Sequence, residues 1–248
     1  MTLLTVAMPV YGKPVWMVRE AVESVLADDV DLQLVLVNDN CPVFDGLPDV
    51  TDPRVVRYRL PENRGAFYAA SLALAAAQTP FWHLHDSDDL TEPGRFAAML
   101  DAIGDASAVA TPTVTHNLDG TVKVNQVKAR KPGHGSARWI IHSPAHIYRT
   151  EALRTVGIPA DNKIGTDAAY VALFWHRYPV KVIDGPRYLI RKTEGSLTLS
   201  PVTGFGTEQR RRSRLDANQL FYEAAKRGGP LRGEKPDPVH VEELRALL

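Results

Sequence analysis

The sequence predicts an α/β fold with a mostly parallel sheet and helices on both faces, and three observations predict it. Short apolar runs at 3–8, 32–37, 55–60 and 81–84 read as buried strands. Helical patterns at 14–27 and 66–78 alternate with them. The segments just after three of the runs are polar and rich in Asn and Asp. Strands alternating with helices build a parallel sheet, and such sheets bind ligands beyond the carboxyl ends of their strands.

Leu3 to Met8 is almost wholly apolar and closes at Pro9, as a strand covered on both faces does. Pro14 suits a first helical turn, and Val15, Val18, Val22, Val25 and Leu26 follow at helical spacing. Leu32–Val37 and Val55–Leu60 are the second and third strands. Ala66–Gln78 is an alanine-rich helix beginning after Gly65, and Phe81–Leu84 is the fourth strand. Regularity then weakens. Thr113–Val127 alternates around an Asp119-Gly120 turn, a hairpin signal, and a Lys/Gly-rich loop spans Lys128–Ser136. The second half is therefore expected to be an antiparallel extension. Asp167–Tyr178 carries a helical stripe of Ala168, Val171, Ala172 and Trp175, and Val180–Ile183 reads as a strand. The tail predicts a helix from about Glu208 to Arg227, a Gly/Pro break over 228–238 and a short terminal helix.

Composition narrows the partners. The 248 residues can bury a full core, and 29 basic against 29 acidic residues leave no global field for nucleic acid or an anionic membrane. Cys41 is the only cysteine, which excludes an internal disulfide and a thiolate zinc cluster within one chain. The opening residues lack a basic stretch and stop being apolar at Pro9, too soon for a signal peptide or transmembrane segment. A cytoplasmic protein is expected.

The strongest chemical signal is His85-Asp86-Ser87-Asp88-Asp89, directly after the fourth strand. Residues two apart in extended chain share a face, so Asp86 and Asp88 can converge on one cation. Magnesium and manganese take one or two carboxylates and complete their shell with substrate phosphates. The same acids can instead cap the following helix, whose Pro93 fits a first turn. A calcium loop needs a glycine and a closing glutamate where Leu90 and Thr91 stand nearby, and a haloacid dehalogenase motif belongs after the first strand, not the fourth. His83, His85, His142 and His146 show no metal-ligand spacing. The Arg210–Arg214 run reads as a solvated helix face.

Taken together, Val6-Ala7-Met8-Pro9-Val10-Tyr11, Val37-Asn38-Asp39-Asn40, Asn63-Arg64-Gly65 and Leu84-His85-Asp86-Ser87-Asp88-Asp89 resemble, in order and spacing, a family 2 glycosyltransferase of the GT-A fold. The match covers about the first 100 residues and continues more loosely through Ile164-Gly165-Thr166-Asp167 and Arg191–Ser196. The resemblance implies that Pro9 to Tyr11 line a nucleotide pocket, that Asp39 meets the base, and that Asn63 and Arg64 form a turn from which Arg64 reaches the base or a phosphate. It implies that Asp86 and Asp88 hold Mn2+ or Mg2+ beside the donor and that Asp167 is the general base. Should Asp167 not be the base, Asp161 and Glu194 are the next candidates. Arg191 or Lys192 is the implied cationic partner of the diphosphate. Asn38 stands where the family often has an acid, Thr166 where it has a glutamate, and Ile190 and Thr193 where it has tyrosine and histidine.

The expected protein is thus an inverting, metal-dependent transferase. It moves a sugar from a nucleotide diphosphate donor to a hydroxyl of a glycan, lipid-linked sugar, small molecule or protein. Residues 1–205 are expected to form the catalytic domain (1–100 the nucleotide side, 101–205 the acceptor side) and 206–248 a helical extension. A nucleotidyltransferase is a second reading, but Pro9-Val10-Tyr11-Gly12-Lys13-Pro14 lacks its glycine-rich phosphate loop. A non-catalytic nucleotide-sugar-binding module is a third, in view of Asn38, Thr166 and Thr193.

Overall fold

The structure is a computed structural model that describes residues 2–128, 142–160, 165, 167–194, 196 and 198–248. Most of the loop expected at 128–136, together with Asp161, Ile164, Thr166 and Gly195, lies outside the described residues. In chain order the elements are β1 (Leu4–Val10), α1 (Val15–Leu26), β2 (Leu32–Asn38), β3 (Val55–Arg59), α2 (Ala66–Ala76), β4 (Phe81–Leu84), β5 (Leu90–Thr91) and α3 (Arg95–Ala102). They continue with β6 (Ala108–Ala110), β7 (Thr113–His116), β8 (Val122–Asn125), β9 (His146–Arg149), α4 (Thr150–Val156), α5 (Asp167–Arg177), β10 (Val180–Val182), β11 (Tyr188–Arg191), α6 (Glu208–Arg227) and α7 (Pro238–Arg245).

The main sheet has seven strands in the order β10-β6-β9-β4-β1-β2-β3. Only β9 runs against its neighbours; the other pairings are parallel. β1 and β2 are apolar throughout because both faces are covered. Val35, Val37 and Ala7 pack with α2, α4, α5, α6 and α7, while Leu34, Leu36, Val6 and Met8 pack with α1 and α3. A four-stranded second sheet, β5-β11-β7-β8, holds the expected hairpin as β7 and β8.

The antiparallel extension accounts for only part of the second half, because β6, β9 and β10 complete the main sheet. The tail is likewise no loose appendage. Ala217, Phe221 and Ala224 of α6 and Leu244 of α7 join the core around α2 and α5. α2 is buried almost all round, as an alanine-rich helix can be. The backbone carbonyls near its end accept from Arg154 (Leu74, 3.0 Å) and Arg245 (Ala75, 3.0 Å). The chain leaves β1 toward β2 and leaves β4 toward the opposite edge, so the crevice between the ends of β1 and β4 is the switch point where such sheets bind ligands.

Candidate active site

Three strand ends and one helix start frame this crevice. At the end of β1, Pro9 pairs in register with Val37 of β2, and Tyr11 just beyond is half exposed. Gly12 adopts φ +65°, a conformation glycine takes freely, and its N–H donates to Cys41 Sγ (3.4 Å), joining the loops after β1 and β2. Asn38 closes β2. Its amide donates to the Phe44 carbonyl (3.0 Å) and its Oδ1 accepts the Cys41 N–H (2.7 Å). An ionised acid there has no hydrogen to give Phe44, which is a physical reason for asparagine at this position.

Asp39 is 1% exposed and aimed at the start of α2. Its Oδ1 accepts the Arg64 N–H (2.7 Å), and its Oδ2 accepts the Gly65 N–H (2.7 Å) and the Asn63 side-chain amide (2.9 Å). Gly65, at φ +93°, turns the chain into the helix. The carboxylate thus meets the orphan donors and positive end of α2, as a capping acid does, but from 24 or more residues away. Arg64 turns outward: its guanidinium lies 4.3 Å from the centre of the Tyr68 ring and pairs with Glu62 (3.3 Å) and Glu234.

The end of β4 is different in character. Among the described residues Asp86 has no capping partner of that kind. The Tyr188 hydroxyl accepts its backbone N–H (3.0 Å), and its carbonyl accepts from Nδ1 of buried His85 (2.9 Å). Asp88 pairs with Lys13 Nζ at 2.5 Å. Asp89, 4% exposed, accepts the Arg191 N–H (2.8 Å). Burial pushes the Asp86 carboxyl up to about 7, and the charges of Asp88 and Asp167 add to the shift while Lys13 and Lys192 oppose it. Asp89 is raised well above the usual carboxylate range by burial and then by Asp86 and Asp88. Burial lowers Lys192, against the pull of Asp89, Asp88 and Asp86. Its Nζ donates to Thr198 Oγ1 (2.8 Å).

Asp167 is the first residue of α5, where the helix dipole favours a negative charge. It is close enough to Asp86 to raise it, and it also acts on His142, Tyr148 and Tyr170. Arg191 holds structure rather than open space. Its Nε donates to the Asp88 carbonyl (2.6 Å), one Nη to the Met17 carbonyl (3.1 Å), and the other pairs with Glu20. Lys192, next along the chain, faces the acids Asp86, Asp88 and Asp89. His83 and His146 are buried in packing roles: His83 Nδ1 lies 2.8 Å from the His146 carbonyl, and Trp175 donates to His146 Nε2 (2.9 Å).

The structure thus brings Asp86, Asp88 and Asp167 into one field, leaves Pro9 and Tyr11 just past the β1–β4 pairing that ends at Ala7 and Leu84, and ties Asp39 to Asn63, Arg64 and Gly65 at the start of α2. Sequence reasoning passed over Lys13, Asp89 and Tyr188. Lys13's only local signal is a cation directly after a strand-end Tyr-Gly, and Asp89's is a third acid in the run. Among the described residues no three His, Cys, Asp or Glu side chains form a metal cluster. The donor set is the hard-oxygen pair Asp86 and Asp88, which fits an ion that draws its remaining ligands from phosphate and water.

The family model for glycosyl transferase family 2 matches residues 5–172, well over half of the chain. The chain belongs to glycosyl transferase family 2. Staphylococcus aureus TarS residues 1–349, in complex with UDP-GlcNAc, superposes with a TM-score of 0.61 at 19% identity, over 78% of this chain and 60% of that one. The mannosyltransferase PcManGT from Pyrobaculum calidifontis, in complex with GDP-Man and Mn2+, gives 0.58 at 18% identity over 98% of this chain and 70% of that one. At such identities the likeness shows a shared GT-A fold, and the chain spans only 60% of the TarS fragment. No curated protein sequence matches significantly. Among the described residues of this family 2 chain, no helix is long and apolar enough to cross a membrane.

Proposed function

We propose that this chain transfers a sugar from a nucleoside diphosphate sugar to an acceptor hydroxyl and inverts the anomeric centre. The observation that carries the reading is the group of carboxylates at the switch point, where burial, and then the charges of Asp88 and Asp167, lift Asp86 to about 7. Acids crowded into a cleft at a cost to their own ionisation mark chemistry more often than scaffolding. The family membership and the nucleotide sugars bound by TarS and PcManGT support the donor class.

In this reading Pro9 and Tyr11 line the nucleotide pocket. Asp39 holds Asn63, Arg64 and Gly65 in the turn that faces the base, and the first 100 residues form the donor side. Asp167, on the acceptor side, takes the proton from the acceptor hydroxyl, whose oxygen attacks the anomeric carbon as the bond to the diphosphate breaks. One displacement of this kind inverts the centre. Lys13 and Lys192 face the charge that develops on the departing diphosphate. Asp86 and Asp88 would hold Mn2+ or Mg2+, which when bound supplies Lewis-acid neutralisation of that leaving group. The single buried thiol of Cys41 supports a reducing, cytoplasmic setting.

The test is a thermal-shift screen of nucleotide sugars with and without Mn2+, followed by assay of nucleotide release and of the product's anomeric configuration. One donor is expected to stabilise the protein chiefly with Mn2+ and to yield nucleoside diphosphate and an inverted product. Donor binding without any release would leave a binding module instead.

A further inference from the structure

We propose that Lys13 is a resident cation on Asp88 that moves to the donor's diphosphate when metal and nucleotide arrive, so that the two bind as a coupled pair. The proposal rests on the reading that Asp86 and Asp88 hold the metal.

The contact itself is the first support. Lys13 Nζ lies 2.5 Å from Asp88 Oδ2, and the two side chains are 21% and 16% exposed, so the pair is shielded from water on most sides. Its place in the fold is the second. Lys13 stands between β1 and α1, on the edge of the switch-point crevice, and the backbone beside it is tethered through the Gly12 N–H to Cys41 Sγ. The tether fixes where the lysine starts, while its four-carbon stem leaves the ammonium free to change partner. Third, the neighbouring cation of greatest reach is already engaged: Arg191 spends its guanidinium on the Asp88 and Met17 carbonyls and on Glu20.

Charge then dictates the coupling. A divalent ion on Asp88 would share a carboxylate with an ammonium, and like charges at that separation repel strongly in a part-buried site. Metal alone must therefore displace Lys13 from Asp88. A nucleoside diphosphate arriving with the metal brings phosphate oxygens to the same spot, and the displaced ammonium pairs with them. Each ligand thus makes room for the other, and by linkage the effect is reciprocal.

The test is to measure free Mn2+ by electron paramagnetic resonance while titrating wild type, Lys13→Met and Lys13→Arg, each alone and with UDP or GDP. Circular dichroism confirms that each variant is folded. Lys13→Met is expected to bind Mn2+ alone about tenfold more tightly, and the gain in Mn2+ affinity on adding nucleotide is expected to shrink about tenfold, the usual scale of a site-to-site coupling. Lys13→Arg keeps the charge and is expected to restore weak binding of Mn2+ alone. Wild-type and Lys13→Met proteins with the same Mn2+ affinity and the same nucleotide gain would overturn the role of Lys13 while leaving the metal reading intact. A wild type that binds no Mn2+ even with UDP or GDP would overturn the metal reading itself, and this proposal with it.

Discussion

Asp39 and Asp86 are the same residue type at the ends of neighbouring regions of one sheet, yet they have opposite surroundings. Asp39 receives two backbone N–H groups and an asparagine amide at the start of α2, donors that favour its negative charge. Asp86 faces Asp88 and Asp167 under burial, and its ionisation is resisted up to about pH 7. Satisfied acids hold a fold together, whereas acids left in conflict wait for a ligand to resolve them. The β1–β2–α2 side of the crevice is therefore built to be rigid, and the β4–α5 side is built to receive positive charge.

The largest expected effect is on the satisfied side. Asp39→Ala leaves the Arg64 and Gly65 N–H groups without their acceptor, at about 1–3 kcal/mol for each that stays buried, while exposed Asn63 keeps the Asp39 backbone carbonyl (3.2 Å), so stability should fall by a few kcal/mol. Urea unfolding checks this. Weaker nucleotide binding with unchanged stability would return Asp39 to direct base recognition.

Asp86→Asn should act in the opposite direction. Asp86's folded value lies above its unfolded one, so its contribution is favourable at low pH and is lost as pH rises from about 4 through about 7. Removing the charge should then raise the stability of chelator-treated protein at pH 8, by an effect on the order of 2 kcal/mol after allowance for solvent, and change little at pH 4. Equal melting temperatures for wild type and variant at pH 8 in chelator would show that the carboxylates do not conflict.

The same contrast explains what was legible in the sequence. Asp86 and Asp88 could be picked out as neighbouring acids beyond a strand, but strand period is not what joins them: β4 ends at Leu84, and Asp86 to Asp89 form a turn closed by the Asp89 N–H on the Asp86 carbonyl (3.2 Å). The parallel core could be placed because β1 and β2 are apolar on both faces. The tie between Asp39 and α2 could not, since its donors lie 24 to 26 residues along and nothing local marks the pairing. Lys13 and Asp88 are 75 positions apart and meet only because β4 lies beside β1. The reversed strand β9 was missed for a similar reason. His146–Arg149 is four residues long with no alternation, and it becomes a strand through pairing with β4 and β6 rather than through its own propensity. Arg191 matched a family position, but its fork of donors is used on the Asp88 and Met17 carbonyls, a choice made by tertiary contact.

The central claim is that the crowded acids carry out transfer with Asp167 as the base, and Asp167→Asn tests it most directly because the amide keeps the size and removes the proton acceptor. Turnover, affinity for the donor with Mn2+, and melting temperature should be measured on one preparation. The account predicts that turnover falls by roughly 10²–10⁴-fold, the contribution of a positioned acid–base group, while affinity and melting temperature stay close to wild type. A folded Asp167→Asn protein that turns over at the wild-type rate would contradict it.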